Sequence, residues 1–131
     1  MLYWLYNNGN EGKAAMQLKK IIEILKADVI FCENEEIEIL TACGSDMMSD
    51  ALAYVKDRAM LLTGLVNPQT VRTAEMLDMP AVVFVRGKVP GEDIVGLAKA
   101  KGIALISTRY RMFTACGRLY AQGLGGGTDD I

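Results

Sequence analysis

Arg86-Gly87-Lys88 sets two cations on either side of a glycine. Such a trio suits an anion, because arginine offers a forked pair of donors and lysine a mobile point charge. Thr63-Gly64 and Ser107-Thr108 add hydroxyls and a glycine that lets the backbone come close to a ligand. The thiols are Cys32, Cys43 and Cys116, odd in number and widely spaced, with no CxxC clip. They fit neither a disulfide framework nor a metal clip, and point to a reducing cytoplasm. The chain contains no histidine. Ser-His-Asp and Cys-His catalysis and histidine-ligated metals are thereby excluded within one chain.

Other groups are weaker candidates for chemistry. Glu33, Glu35, Glu36 and Glu38 cluster near a turn. A paired-carboxylate or divalent-metal site there lacks a second constellation, and a charged, solvated strand edge explains the cluster better. Thr41-Ala42-Cys43-Gly44 recurs as Thr114-Ala115-Cys116-Gly117, in contexts too different for a duplicated unit. Cys116 shares a helical face with Met112, Phe113 and Leu119 or Tyr120, and is expected to be a buried thiol. Cys43 lies before a helix, where a thiolate would be stabilised, or else is buried and inert. Without histidine, catalysis would need carboxylates, lysine or a thiolate, and no two of these are paired. No catalytic residue, metal ligand or cofactor is assigned.

These residues need elements to place them. Leu18, Ile21, Ile22 and Leu25 recur at helical spacing after Met16. Strands are expected at Asp28–Cys32 and at Glu36–Ala42, the second alternating at its start. Ser45-Asp46 offers capping oxygens for a helix with the stripe Met48, Ala51, Leu52 and Val55. Met60–Thr63 then reads as a buried strand, and Asn67-Pro68 as a helix start that runs to about Asp78. Ala81–Val85 is the clearest strand, followed by a helix from Gly91 to Lys101 that Gly102 ends. Ile103–Ile106 is the last strand, with Ser107-Thr108 capping a final helix. Apolar strands alternating with helices predict an α/β fold, a small mostly parallel sheet with βαβ crossovers.

Composition agrees with one domain. The chain has 131 residues, 51% of them hydrophobic, and a net charge of −2 with the signs interspersed. A core can form, and no concentrated basic face suggests nucleic acid. No apolar run approaches the roughly 20 residues of a membrane-spanning helix. Residues 1–15 read as an N-terminal extension, loose or ordered, with the apolar Met1–Tyr6 before a turn-rich stretch and Met16 as a possible true start. The domain is placed at 16–124 and a mobile tail at 125–131, in the glycine-rich stretch that opens at Gly123-Leu124.

The stretch Met79–Pro90, with its Arg86-Gly87 and Pro90, resembles the DRTGG domain family. So do Gly102–Thr108 and Cys116-Gly117-Arg118-Leu119. The order of strand, Arg-Gly, Pro, helix, Gly-Ile strand, Ser/Thr and final helix is similar to the N-terminal domain of HPr kinase/phosphorylase. The likeness covers roughly Leu18 to Leu124. The five-letter signature of the family is not intact, and Asp57-Arg58 with Ala59-Met60 is its nearest echo. The resemblance implies a non-catalytic regulatory or dimerising module.

Open parallel sheets bind ligands beyond the carboxyl ends of their strands, where helix N-termini direct N–H groups at anions. Thr63, Gly64, Arg86, Gly87, Lys88, Ser107 and Thr108 should share that edge, as a site for an adenine nucleotide or other anionic small molecule. A plain loop with solvated Arg86 and Lys88 is the competing reading. The expected function is regulatory ligand sensing by a homodimer, whose twofold contact uses the helix at 46–56 or the final helix. The alternative is an adaptor for a redox or phosphoryl-transfer enzyme, with Arg109-Tyr110-Arg111-Met112 as a docking segment.

Overall fold

The computed structural model describes residues 15–54 and 58–126. Met1–Tyr6, Val55 and Asp57, which entered the sequence reading, lie outside the described residues, as does the tail from 127.

The strands are β1 (Met16–Gln17), β2 (Asp28–Phe31), β3 (Glu38–Ile39), β4 (Thr41–Gly44), β5 (Ala59–Thr63), β6 (Ala81–Phe84) and β7 (Ala104–Ser107). The helices are α1 (Leu18–Leu25), α2 (Met48–Tyr54), α3 (Pro68–Met76), α4 (Glu92–Lys101) and α5 (Met112–Ala121). A five-stranded sheet has the order β2-β7-β6-β5-β4, parallel except for the antiparallel edge strand β2. β1 and β3 form a separate antiparallel pair. The fold is α/β, as the alternation of elements predicts.

Strand periodicity decides which helix packs where. Met60, Leu62, Ala81, Val83, Ala104 and Ile106 join Leu18, Ile21 and Leu25 of α1 and Ala115 and Leu119 of α5 in one core. Leu61, Val82, Phe84 and Leu105 point to the other face, against Met48 and Ala51 of α2, Val71 and Ala74 of α3, and Ile94 and Ala98 of α4. With period two, a strand buried on both faces must be apolar throughout. All five residues of β5 and all four of β6 are buried. The connections β4–α2–β5, β5–α3–β6 and β6–α4–β7 each step one strand along the sheet with the helix on the same face, as crossovers of one hand require.

Several local readings hold. The Asn67 side chain accepts the Gln69 N–H at 2.8 Å with Pro68 as the first helical residue. Gly102 ends α4 in the left-handed region, with φ 70°. Others need correction. The single strand expected at 36–42 is two: β3 pairs with β1, whereas β4 pairs with β5. Between them the Leu40 N–H bonds to the Arg58 carbonyl at 3.1 Å, and the chain passes from one sheet to the other. Ser107 and Thr108 do not cap α5. Arg111 stands at its N-cap, with no side-chain hydrogen bond. Gly125, which the sequence assigns to the tail, is buried and bridges β4, its carbonyl accepting the Ala42 N–H at 3.0 Å.

Candidate functional site

β5, β6 and β7 are parallel neighbours, so Thr63-Gly64, Arg86-Gly87-Lys88 and Ser107-Thr108 emerge side by side at one edge of the sheet. The seven residues nominated from sequence are brought together. Their roles divide sharply.

Three hydroxyls are committed inside the protein. Thr63 is fully buried, donating to an Asp46 carboxylate oxygen at 3.1 Å and accepting the Leu65 N–H at 3.0 Å. Ser107 donates to the Lys88 carbonyl at 2.6 Å and so holds the loop after β6. Thr108 donates to the Leu25 carbonyl at 2.8 Å and accepts the Tyr110 N–H at 3.2 Å. The first bond ties the end of α1 to the start of the path to α5. These groups position the edge and are not turned to a ligand.

The loop after β6 is a two-residue turn. The Val85 carbonyl accepts the Lys88 N–H at 3.2 Å, while Arg86 and Gly87 have φ of 61° and 71°. Positive φ at both central residues defines a type I′ turn, which glycine tolerates and arginine resists. Arg86 is held there by its N–H to the Tyr110 carbonyl, and Gly87 by its N–H to the Thr108 carbonyl, both at 2.8 Å. A non-glycine residue in this region costs on the order of 1–3 kcal/mol, and such outliers concentrate where a side chain must be aimed.

The Arg86 side chain turns back over β5. A Cβ built on Gly64 would stand 2.5 Å from its Nη2 and 3.2 Å from Cζ. The guanidinium therefore lies on the bare backbone of Gly64, a contact that any larger residue would occupy. Asp46 enters from the neighbouring strand-to-helix junction, where its carboxylate accepts the Gly64 N–H at 2.6 Å. The sequence marked Asp46 as a helix-capping residue. Instead Ser45 takes the local turn, accepting the Met47 N–H at 3.0 Å, and Asp46 reaches across to β5. An acidic residue at a strand-to-helix junction was the available signal for its presence at the edge.

The electrostatics narrow the anion-binding part. Asn67 already caps α3, and the first turn of α4 carries Glu92 and Asp93, which repel an anion from that terminus. The first turn of α5 has no acidic residue. Arg86, Lys88, Arg109 and Arg111 are exposed and take part in none of the ion pairs found among the described residues. Arg86 is joined to the approach to α5 through Tyr110, whose ring also receives the Arg118 guanidinium at 4.5 Å. In the docking segment considered for an adaptor, Arg109 and Arg111 are exposed but Tyr110 and Met112 are half-buried against the core.

The thiols are not poised for reaction. Burial pushes Cys43 and Cys116 above the ordinary thiol range, with Asp50 adding to the effect on Cys43. Cys32 is also raised by burial and, to a smaller extent, by Glu35 and Glu33, against an Asn34 hydrogen bond that lowers it. Cys43 lies within β4, not at a helix terminus that would favour its thiolate. Gly44 meets Cys116 Sγ, 2.8 Å from where a Cβ would sit, so the two Thr-Ala-Cys-Gly segments touch across β4 and α5. The sequence grouped Phe113, and Leu119 or Tyr120, with Cys116 on a buried face; Leu119 is buried, whereas Phe113 and Tyr120 are 89% and 68% exposed. The α5 face that packs on the sheet is set by Ala115 and Leu119, which leaves the two aromatics outside it. The acidic residues behave as a solvated edge: Glu36 pairs with Lys19 and Glu38 with Arg58, each at 3.8 Å. No cluster able to hold a metal occurs among the described residues, and no helix among them is long and apolar enough to cross a membrane.

No protein-family model matches the chain, and no curated protein matches it in sequence. Among solved structures it is similar to the CBS and DRTGG domains of the regulatory region of Clostridium perfringens pyrophosphatase, complexed with the activator diadenosine tetraphosphate. The TM-score is 0.71 at 21% sequence identity, over 99% of this chain. The chain spans 57% of the length of that one. The likeness establishes a shared fold, and it agrees with the DRTGG resemblance read from the sequence.

Proposed function

We propose that this chain is a DRTGG-type regulatory domain that senses an adenine nucleotide or similar anion and has no catalysis of its own. One observation carries the reading: Arg86, in a left-handed conformation, is seated over Gly64 at the sheet edge, with exposed Lys88 two residues on in the same turn. Lys26, Arg58 and Asp78 share the left-handed backbone, so what distinguishes Arg86 is its seat over Gly64, from which a guanidinium presents paired donors to phosphate. Lys88 adds charge, while Asp46 fixes the Gly64 loop and disfavours a second anion on the β4 side. That the similar regulatory region binds diadenosine tetraphosphate supports a nucleotide as the class of ligand.

The test is a thermal-unfolding and calorimetry panel of mono-, di- and triphosphates and dinucleoside polyphosphates. A ligand at one hundred times its dissociation constant should stabilise the fold by about 2.7 kcal/mol. Arg86→Ala should remove that stabilisation. A panel with neither heat nor a shift in Tm would show that the reading is wrong.

Assembly is the second part of the proposal. A homodimer with a twofold contact on the α2 side fits a small domain with Met47 exposed just before that helix. A specific contact should bury on the order of 1,200 Å² or more in total. Light scattering across a micromolar dilution series should return twice the chain mass; a monomer mass throughout would refute the dimer.

A further inference from the structure

Beside the cationic edge, on the α1/α5 face of the sheet, runs an apolar groove of about 300 Å³ between α5 and the edge strand β4. Its floor is Ala42 and Gly44, and its outer wall is Phe113, Gly117 and Tyr120. These three recur at positions i, i+4 and i+7 of α5, which puts them on one helical face. Gly117 leaves the wall open at its middle, since a Cβ there would meet nothing within 4 Å. Gly44 closes the strand end of the groove, and its missing side chain admits Cys116 and Met112 behind it.

The position of the groove gives it meaning. Gly44 is in register with Leu62, so Gly64, under the Arg86 guanidinium, lies two residues beyond Gly44 on the adjacent strand. The groove therefore ends next to the Arg86 guanidinium, with the Asp46 carboxylate on the Gly64 N–H at the same junction. We propose that it receives the aromatic base of the nucleotide whose phosphate Arg86 holds. This rests on the reading of the edge given above and assigns the rest of the ligand. An exposed phenylalanine and tyrosine present π faces on which any base can stack, and the small floor residues admit a flat group. The volume stands at the low end for small-molecule sites, which suits a base with part of its sugar. Charge separation supports the same orientation: the anionic end goes to Arg86 and Lys88, the neutral ring to a wall of apolar side chains.

Three probes divide the ligand: ATP, inorganic tripolyphosphate and adenosine, titrated calorimetrically into the full chain. Gly117→Leu fills the groove from a position with open space around it, and Phe113→Ala removes the stacking face at an exposed site. Both should retain the parent fold by circular dichroism. Gly117→Leu is expected to weaken ATP at least tenfold while leaving tripolyphosphate within twofold, and Phe113→Ala to act in the same direction. Arg86→Ala should weaken both phosphates. If the two α5 variants bind ATP like the parent while Arg86→Ala does not, the groove assignment is wrong and the edge stands. If they lose a dimer mass with ATP affinity unchanged, a second copy covers the groove and the assignment is likewise overturned. If the parent binds none of the probes, the edge reading fails and the groove assignment falls with it.

Discussion

Replacing Phe84 by alanine should lower the unfolding free energy by about 3–5 kcal/mol, the range for deleting a buried phenylalanine. Phe84 is fully buried at the end of β6, on the face that packs against α2, α3 and α4. Its backbone leaves no slack for the neighbours to close in. The Phe84 carbonyl accepts the Thr108 N–H at 2.9 Å, and the next residue, Val85, donates to the Thr63 carbonyl at 3.0 Å. The strand end is thus fixed on both sides, and the cavity should persist. Set against a total of about 5–15 kcal/mol for a domain, the loss is large enough to be read in urea unfolding without ambiguity. Phe84→Leu, which keeps much of the volume, should cost clearly less. Equal costs would mean that the ring is not packed as the buried strand end implies. Because Phe84 stands two residues before Arg86, binding by either variant has to be compared at equal folded fraction.

The element order was legible because the strands are apolar on both faces and the helices are marked at their ends. Asn67-Pro68, Gly102 and the run Ala81–Val85 are local signals whose meaning does not depend on distant partners. The division at Leu40 was not legible, since Glu36–Ala42 alternates well enough for one strand and only pairing with β1 and β5 separates its halves. For the candidate site, the parallel order of the strands sufficed to bring Thr63, Arg86 and Ser107 to one edge. Sequence could not reveal that Thr63, Ser107 and Thr108 commit their hydroxyls to Asp46, Lys88 and Leu25, because all three partners lie 17 to 83 residues away and two of them, Lys88 and Leu25, accept through backbone carbonyls. The exposure of Phe113, and the choice between Leu119 and Tyr120, escape the sequence for a related reason. Hydrophobic type says that a residue can be buried; the angle at which Ala115 and Leu119 seat the helix decides whether it is.

Gly64→Ala should abolish most nucleotide binding while leaving the fold nearly as stable as before. The added methyl would stand 2.5 Å from Arg86 Nη2, 3.2 Å from Cζ and 3.3 Å from Nε, too close for the guanidinium to remain. Gly64 is buried, but what must yield is the far end of an exposed, flexible side chain, so the cost to folding should stay small, about 0.5 kcal/mol. Gly64 has no positive φ among the backbone outliers, so alanine introduces no strain of its own. The Gly64 N–H can still donate to Asp46. The cation is therefore kept but moved off its seat, which separates position from charge. If the seat is what aims the paired donors, affinity should fall at least tenfold, about 1.4 kcal/mol, approaching the effect of Arg86→Ala. Calorimetry on the same nucleotide panel gives the comparison. Parent-like affinity with unchanged stability would mean that Arg86 acts as a mobile surface charge, and that the glycine beneath it has no part in binding.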